Sequence, residues 1–341
     1  MTVQRPARRA TITDVARLAG VSIATVSRVL NGTAPVADDT VQLVQQAIEE
    51  LNYTPHAAAR SLAGRSTGTI GLLLPRLSGA FYPPLIRGLE TGAKEYGFDL
   101  LIHASVYVPE DGRRRPVPLD ERNTDGLLVF TDRLDDAEIT RLYEQGFPLV
   151  LLYRAAPAGL KIPSVTVENK RGARSLVEHL ITVHGFRRIA YLAGPDGNED
   201  SYWRELGYRE ALAEHGIAFD PDMVGCGEFD DVRARAVVEE WLHRGLRFDA
   251  IFAGDDEAAS GCIMALRQAG KQVPVDVAVV GFDDVPFARL MAPSLTTVRA
   301  PIETVGEVAV HQLITLIQGG EPVPFTLLPT ELVIRQSCGC R

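Results

Sequence analysis

A change of rhythm near residue 67 is what most constrains the fold of this chain. Up to Leu51 the apolar residues keep helical spacing: Val15, Leu18 and Ala19, then Val26, Val29 and Leu30, then Val41, Val44, Ala47, Ile48 and Leu51. From residue 68 onward short continuous apolar runs take over, among them "TIGLLLP", "FDLLIHA", "DGLLVF", "PLVLLY", "RRIAYLAG", "FDAIFAG" and "VAVVGFDD". Amphipathic stretches such as "PLIRGLETGAKEYG", "RGARSLVEHLITVHG" and "EAASGCIMALRQAG" separate most of them. A strand that is apolar throughout has both faces covered, and a helix between two such strands is the crossover a parallel pair requires. About eleven or twelve strands are too many for one small sheet. Two open α/β halves are therefore expected, with a ligand held beyond the carboxyl ends of the strands, in the crevice between the halves.

The front of the chain, "DVARLAGVSIATVSRVLNG" at residues 14–32, reads differently. Thr13 is expected to cap a first helix that ends at Gly20, and Ser22 a second that stops at Asn31-Gly32. Two short helices joined by a glycine-containing turn make a helix-turn-helix. The second helix turns Val26, Val29 and Leu30 inward and presents Ser22, Ile23, Ala24, Thr25, Ser27 and Arg28 elsewhere. Small residues at its start let backbone approach base edges, and an arginine can fork onto guanine. A plain helical hairpin is the alternative. Residues 54–66, "TPHAAARSLAGRS", read as a linker holding a helix of about two turns, started by Pro55 and ended by Gly64.

Charge and composition narrow the setting. Residues 1–65 hold seven arginines against five acids, a balance of +2, which leaves −11 on the remainder of a chain whose net charge is −9. A mildly basic head on an acidic body can approach phosphate while the body stays off it. No apolar run approaches the ~18 residues of a membrane span, and "MTVQRPARRATITD" lacks the apolar segment of a secretion signal. Cys226, Cys262, Cys338 and Cys340 are too few and scattered for a disulfide framework, so a cytoplasmic protein is expected.

The stretches "TITDVARLAGVSIATVSRVLNG" and "VQQAIEELNYTPHAAARSLAGRST" resemble the opening signature of the LacI/GalR family of bacterial transcription regulators. The resemblance continues in order through "DGLLVF", "VENKRGARSLVEHLITVHGFRRIAYLAGP", "RELGYREAL", "VVGFDDVPFARLMAPSLTTVRAP" and "TELVIRQS". It implies an all-α helix-turn-helix headpiece with a hinge helix, joined to an α/β periplasmic-binding-protein-like core of two Rossmann-like subdomains. The implied division is 1–53 for the headpiece, 54–67 for the hinge and 68–341 for the core. Within the core, one subdomain takes about 68–166 plus 298–329 and the other about 167–297 plus 330–341.

By the same resemblance Ile23, Ala24 and Arg28 would read bases, while Ser22, Thr25 and Ser27 hold phosphates and Thr13 and Asn31 complete the DNA-facing set. Leu62 matches the leucine that wedges into a base step from the minor groove, beside Ala59 and His56, the latter standing where the family usually has asparagine. Ala37 replaces the usual serine cap of the third helix, so Asp38 is expected to cap it. In the core, Arg204, Asp255 and Asp283 match effector-binding positions, with Phe81 and Tyr82 as lining aromatics, Trp203 as a stacking ring and Arg154 at a strand end. Carboxylates and a planar arginine suit a polyol. The expected effector is a mono- or disaccharide, with a purine-type corepressor as the alternative. Each position also has a structural reading: Arg204 on a helix surface, Asp255 or Asp283 as helix caps, Trp203 packed between helices.

The resemblance further implies a homodimer or tetramer on near-palindromic operator DNA, coupled to the effector by ~1–3 kcal/mol. Other classes find little support. There is no glycine-rich phosphate loop or nucleophile elbow, so no enzyme and no cofactor are expected. His179 and His184 lie five apart and miss the four-residue spacing of a zinc helix; Cys338-Gly-Cys340 could hold a metal, but no metal is expected. A transport binding protein would share the cleft but not the headpiece.

Overall fold

The computed structural model describes residues 10–31, 34–53, 66–104, 118–131 and 133–340, in two compact units, 1–67 and 68–341. The expected hinge helix, with His56, Ala59 and Leu62, lies outside the described residues.

The first unit holds three helices, α1 (Ile12–Ala19), α2 (Ile23–Asn31) and α3 (Asp38–Glu50). Val15, Ala16, Ala19, Val26, Val44, Ala47 and Tyr53 form its buried core, while Val29 and Leu30 are only half-buried against it. The cap of α1 is Thr11 rather than Thr13. The Asp14 carboxylate accepts from the Thr11 N–H at 2.9 Å and from its hydroxyl at 2.7 Å, so Asp14, three residues on, fixes the start and leaves Thr13 inside the first turn. Gly20 closes α1 with φ +68°, a left-handed conformation that a side chain would resist. Ser22 caps α2 as expected, its Oγ accepting the Thr25 N–H at 3.1 Å. Asp38 does not cap α3. The cap position is Ala37, and Asp38 and Asp39 sit in the first turn, where their charge favours the helix dipole without closing a hydrogen bond.

The second unit is built on two parallel sheets. The larger has the order β11-β5-β4-β3-β1-β2, from β1 (Thr69–Leu74), β2 (Asp99–Ala104), β3 (Leu127–Phe130), β4 (Leu149–Leu152), β5 (Ser164–Val167) and β11 (Phe325–Leu328). The smaller has the order β7-β6-β8-β9, from β6 (Ile189–Ala193), β7 (Val224–Cys226), β8 (Ala250–Ala253) and β9 (Ala278–Val280). A two-stranded antiparallel pair, β10 (Thr297–Arg299) and β12 (Glu331–Val333), completes the twelve described strands. In the larger sheet β1 is flanked by β2 and β3, and in the smaller β6 is flanked by β7 and β8. Each sheet thus reverses its strand order at its first strand, where a crevice opens at the carboxyl ends.

Helices cover the sheets: α4 (Tyr82–Glu95), α5 (Asp136–Glu144), α6 (Asn169–His184), α7 (Glu199–Glu214), α8 (Asp231–His243), α9 (Asp256–Gln268) and α10 (Ile302–Ile317). They pack tightly as the pairs α4 with α10, α6 with α7 and α8 with α9. Glycine makes that closeness possible. A Cβ at Gly88 would lie 1.9 Å from the Glu303 carbonyl oxygen, and one at Gly261 would lie 2.0 Å from that of Asp231. Because backbone rather than a flexible side chain blocks the space, Gly88→Ala must push α4 off α10. A loss of about 1–3 kcal/mol is expected, read as a lower denaturation midpoint at unchanged denaturant slope.

Candidate functional site

Two surfaces carry the functional residues. On the first unit the start of α2 is open: Ser22, Ile23, Ala24 and Arg28 are exposed, and Thr25 and Ser27 half-buried. Ile23 is 48% exposed, comparable to Leu18 at 46% and Leu43 at 51% on the same unit, and what sets it apart is its place beside Ser22, Ala24 and Arg28 at the start of α2. The Ser22 and Thr25 hydroxyls lie 2.8 Å apart and hold each other in place. The face combines small hydroxyls, an apolar tip and one arginine, which suits a groove of DNA: hydroxyls toward phosphate, a methyl-bearing side chain toward thymine, a guanidinium toward guanine.

On the second unit a cavity of about 610 Å³ is lined by residues that follow strand ends in both sheets. Its apolar wall comes from the larger sheet. Phe81, Tyr82, Phe130 and Tyr153 make mutual ring contacts with centroids 5.3–5.9 Å apart, tilted or edge-to-face. Its polar wall comes from the smaller sheet and from α7. Arg204 is buried, its Nε donating to Asn169 Oδ1 at 2.8 Å, Nη1 to the Gly254 carbonyl at 2.6 Å and Nη2 to Asp283 Oδ1 at 3.1 Å. Its guanidinium also lies 3.8 Å from the centre of the Phe282 ring. Asn169 in turn donates to Asp200 Oδ1 at 2.7 Å.

Three buried carboxyls, Asp200, Asp255 and Asp283, thus share one arginine. Burial, reinforced by the Asp283 charge, pushes Asp255 up to about 8. Burial likewise raises Asp200 to about 7, against the pull of Arg204. Asp283 is raised by burial and held back by the same guanidinium. Asp255 also caps α9, accepting the Ala258 N–H at 2.7 Å, so its cap role and its place on the cavity wall coexist. Asp283 is not a cap. It follows β9 with φ +103°, and Tyr153 follows β4 with φ +57°; both backbones take the left-handed region where their side chains meet the cavity. The Tyr153 hydroxyl is buried and has no hydrogen-bond partner among the described residues.

Two expected cleft residues sit differently. Arg154 lines the cavity, but its guanidinium is spent on the carbonyls of Thr131 (3.1 Å) and Leu134 (2.9 Å) and on Asp136 (2.6 Å). Trp203 is 43% exposed and is not part of the cavity lining; it packs edge-on against Tyr202 at 5.1 Å. One residue along a helix is a rotation of about 100°, so Trp203 and Arg204 cannot both face inward. The surface-helix reading of Arg204 and the cap reading of Asp283 do not hold. Asp200, Asn169, Phe130 and Phe229 were not foreseen, although each lies at or just beyond a strand end or in the first turn of a helix.

The halves also meet across the cleft mouth. Glu257, at the start of α9, accepts the Ala80 N–H at 3.1 Å and lies 3.6 Å from Arg76 Nη2. Glu199, at the start of α7, accepts the Ala155 N–H at 2.8 Å. Carboxylates at two helix starts therefore tie the smaller sheet's half to loops of the larger.

Residues 11–56 match the lacI family of bacterial regulatory proteins, and residues 177–338 match a periplasmic binding protein-like domain. The ribose operon repressor of Halalkalibacterium halodurans is 37% identical over 329 residues, 96% of each chain. The transcriptional regulator GalS of Salmonella typhimurium is 37% identical over 333 residues, 97% of each. The chain belongs to the LacI family. Among solved structures, a complex of the regulator CelR with cellobiose shares 33% identity at TM-score 0.70, covering 96% of this chain and all of that one. The lac repressor dimer bound to operator and the anti-inducer ONPF shares 27% identity at TM-score 0.77, covering 97% and 99%. The helix-turn-helix headpiece and the parallel-sheet core of this LacI-family chain are those of a DNA-binding transcription regulator. Among the described residues no helix is long and apolar enough to cross a membrane.

The raised carboxyls set a sign for pH dependence. A carboxyl with a higher folded than unfolded value binds more protons when folded, so stability falls as pH rises from about 4, the unfolded value, through 7–8, the folded values. The ligand-free chain should melt lower at about pH 9 than at about pH 6, and Asp255→Asn should flatten that dependence. Thermal melts of the two proteins across this range check it.

Proposed function

We propose that this LacI-family chain is a repressor that binds operator DNA as a pair of chains and responds to a sugar held in its core cavity. The observation that carries the reading is the opposition of a wall of aromatic rings to a wall of buried carboxyls around Arg204. A sugar has C–H faces that pack on rings and hydroxyls that both donate and accept. Ionised carboxylates take the donated hydrogens, a protonated one can return a hydrogen, and the arginine donates to several oxygens. The 610 Å³ volume lies within the ~300–1,000 Å³ of small-molecule clefts. Relatives point the same way: CelR was solved with cellobiose, and a LacI-family regulator from Enterococcus faecium, 25% identical at TM-score 0.69, with ribose.

In this reading Asp200, Asp255 and Asp283 meet hydroxyls, and Phe81, Tyr82 and Phe130 pack on the ring. The Tyr153 hydroxyl gains the partner it lacks. A sugar joining both walls favours one relation of the two halves over others, and that preference is what reaches the DNA. On α2, Ile23, Ala24 and Arg28 read bases while Ser22, Thr25 and Ser27 hold phosphates. A lone headpiece neutralises few phosphates, so two linked copies on a near-palindromic site supply the affinity through effective concentration.

A thermal-shift panel of D-ribose, D-galactose, cellobiose, adenine and hypoxanthine tests the ligand class. At least one sugar should raise the melting temperature; a rise with the nucleobases alone contradicts the reading. Tyr153→Phe should weaken binding of the responding sugar roughly 3–10-fold without lowering the ligand-free melting temperature, since the lost hydroxyl has no partner to abandon. Arg28→Ala should weaken binding to a genomic fragment selected by the wild-type chain by roughly 5–150-fold and leave sugar affinity unchanged. Fluorescence anisotropy and titration calorimetry read the two effects.

A further inference from the structure

Toward the opposite end of α6 from Asn169, four metal-binding side chains converge. His179 and His184 lie at the end of α6, and Cys338 and Cys340 lie in the turn that ends the described chain. Their ligand atoms all fall within 4.8 Å of one another. Cys340 Sγ is 3.7 Å from His179 Nε2 and 3.4 Å from His184 Nε2. In a tetrahedral zinc site with Zn–S near 2.3 Å and Zn–N near 2.0–2.1 Å, neighbouring ligand atoms stand about 3.3–3.8 Å apart. The two edges from Cys340 to the histidines have that length.

The surroundings hold this arrangement. Phe186 stacks on the His184 ring at 5.3 Å and 17°. Gly339, at φ +106°, lets the tail turn between the two cysteines, and a Cβ there would already meet the His184 ring at 3.4 Å. Ser337 pins the turn from the other side: its N–H donates to the Ser294 carbonyl at 2.9 Å and its Oγ accepts the Thr296 N–H at 2.8 Å. Cys338 is fully buried, and both cysteines are free thiols. Separately, a five-residue histidine spacing and a Cys-Gly-Cys tail signal little; their meeting across some 156–161 residues is what the fold adds.

We propose that His179, His184, Cys338 and Cys340 form a structural zinc site that fastens the C-terminal turn to the end of α6. Two thiolates and two neutral imidazoles balance the charge of one Zn²⁺ and close its tetrahedron, leaving no open position for catalysis. Forming the site releases the two thiol protons to solvent. Because the first residue of α6, Asn169, holds Arg204, the staple steadies the far end of the helix that supports the cavity's polar wall.

The test uses the full chain, purified without a histidine tag in reducing buffer and supplemented with zinc. Elemental analysis should find about one zinc per chain, and chelation should lower the melting temperature. Replacing zinc by cobalt should give the intense visible bands of a tetrahedral thiolate site in the wild-type chain, a readout independent of any variant's folding. Cys340→Ser and His184→Gln should each lose the metal. The proposal is overturned by absence of stoichiometric metal in the supplemented wild-type chain, or by zinc retained undiminished in both variants. A Cys338–Cys340 disulfide formed in place of metal binding, or bound zinc whose removal leaves the melting temperature unmoved, also overturns it.

Discussion

Arg204 is the tie on which the core depends. Its guanidinium reaches the start of α6 through Asn169, the segment after β8 through the Gly254 carbonyl and the segment after β9 through Asp283. A buried cation is tolerated only when paired and hydrogen-bonded, because removing one partner leaves an uncompensated charge in a medium that solvates it poorly. Here the compensation comes from three separate parts of the chain, so those parts are held in register by one side chain. Burial, with the neighbouring Asp283 charge added, then displaces the acidities of Asp200 and Asp255 toward neutrality despite the pull of Arg204. Groups displaced in this way, gathered in a cleft, are what binding and catalytic sites characteristically hold.

The same division of labour runs through the cavity walls. The aromatic wall belongs to one sheet and the polar wall to the other, and side chains tie them across the cleft: Glu257 to Ala80 and Arg76, Arg76 also to the Phe229 carbonyl and Asp230, and Glu199 to Ala155. Ion pairs and hydrogen bonds of this partly exposed kind each contribute only modestly to stability. The headpiece contributes a different economy. Its second helix is fixed by Ser22 and Thr25 and packed through Val26, and it leaves Ile23 in the open beside Ala24 and Arg28.

Much of this was legible in the sequence, for identifiable reasons. Continuous apolar runs report burial on both faces, so the parallel sheets were readable, and Ser22 and Gly20 announced the turn between α1 and α2 through ordinary cap chemistry. The failures are equally physical. Two threonines, two residues apart, stand at the start of α1, and the reach of Asp14 decides for Thr11 over Thr13 as its cap. Strands β7, β10 and β12 span three residues each and, unlike the equally short but fully buried β9, lack a continuous apolar run. On α7 the buried stripe runs through Asp200, Arg204, Gly207, Tyr208 and Ala211, so charged residues disguise the inward face and the conspicuous Trp203 attracts notice on the wrong side. The partners of His179 and His184 lie more than 150 residues away, which no local spacing can disclose.

If a sugar in the core and DNA on the headpiece draw on one shared equilibrium, each must change the affinity for the other by the same factor. The direct measurement is a pair of titrations: DNA affinity with and without saturating sugar, and sugar affinity with and without saturating DNA. The account predicts equal factors, roughly 5–150-fold. Sugar affinity that stays constant whether or not the chain is on DNA would contradict it.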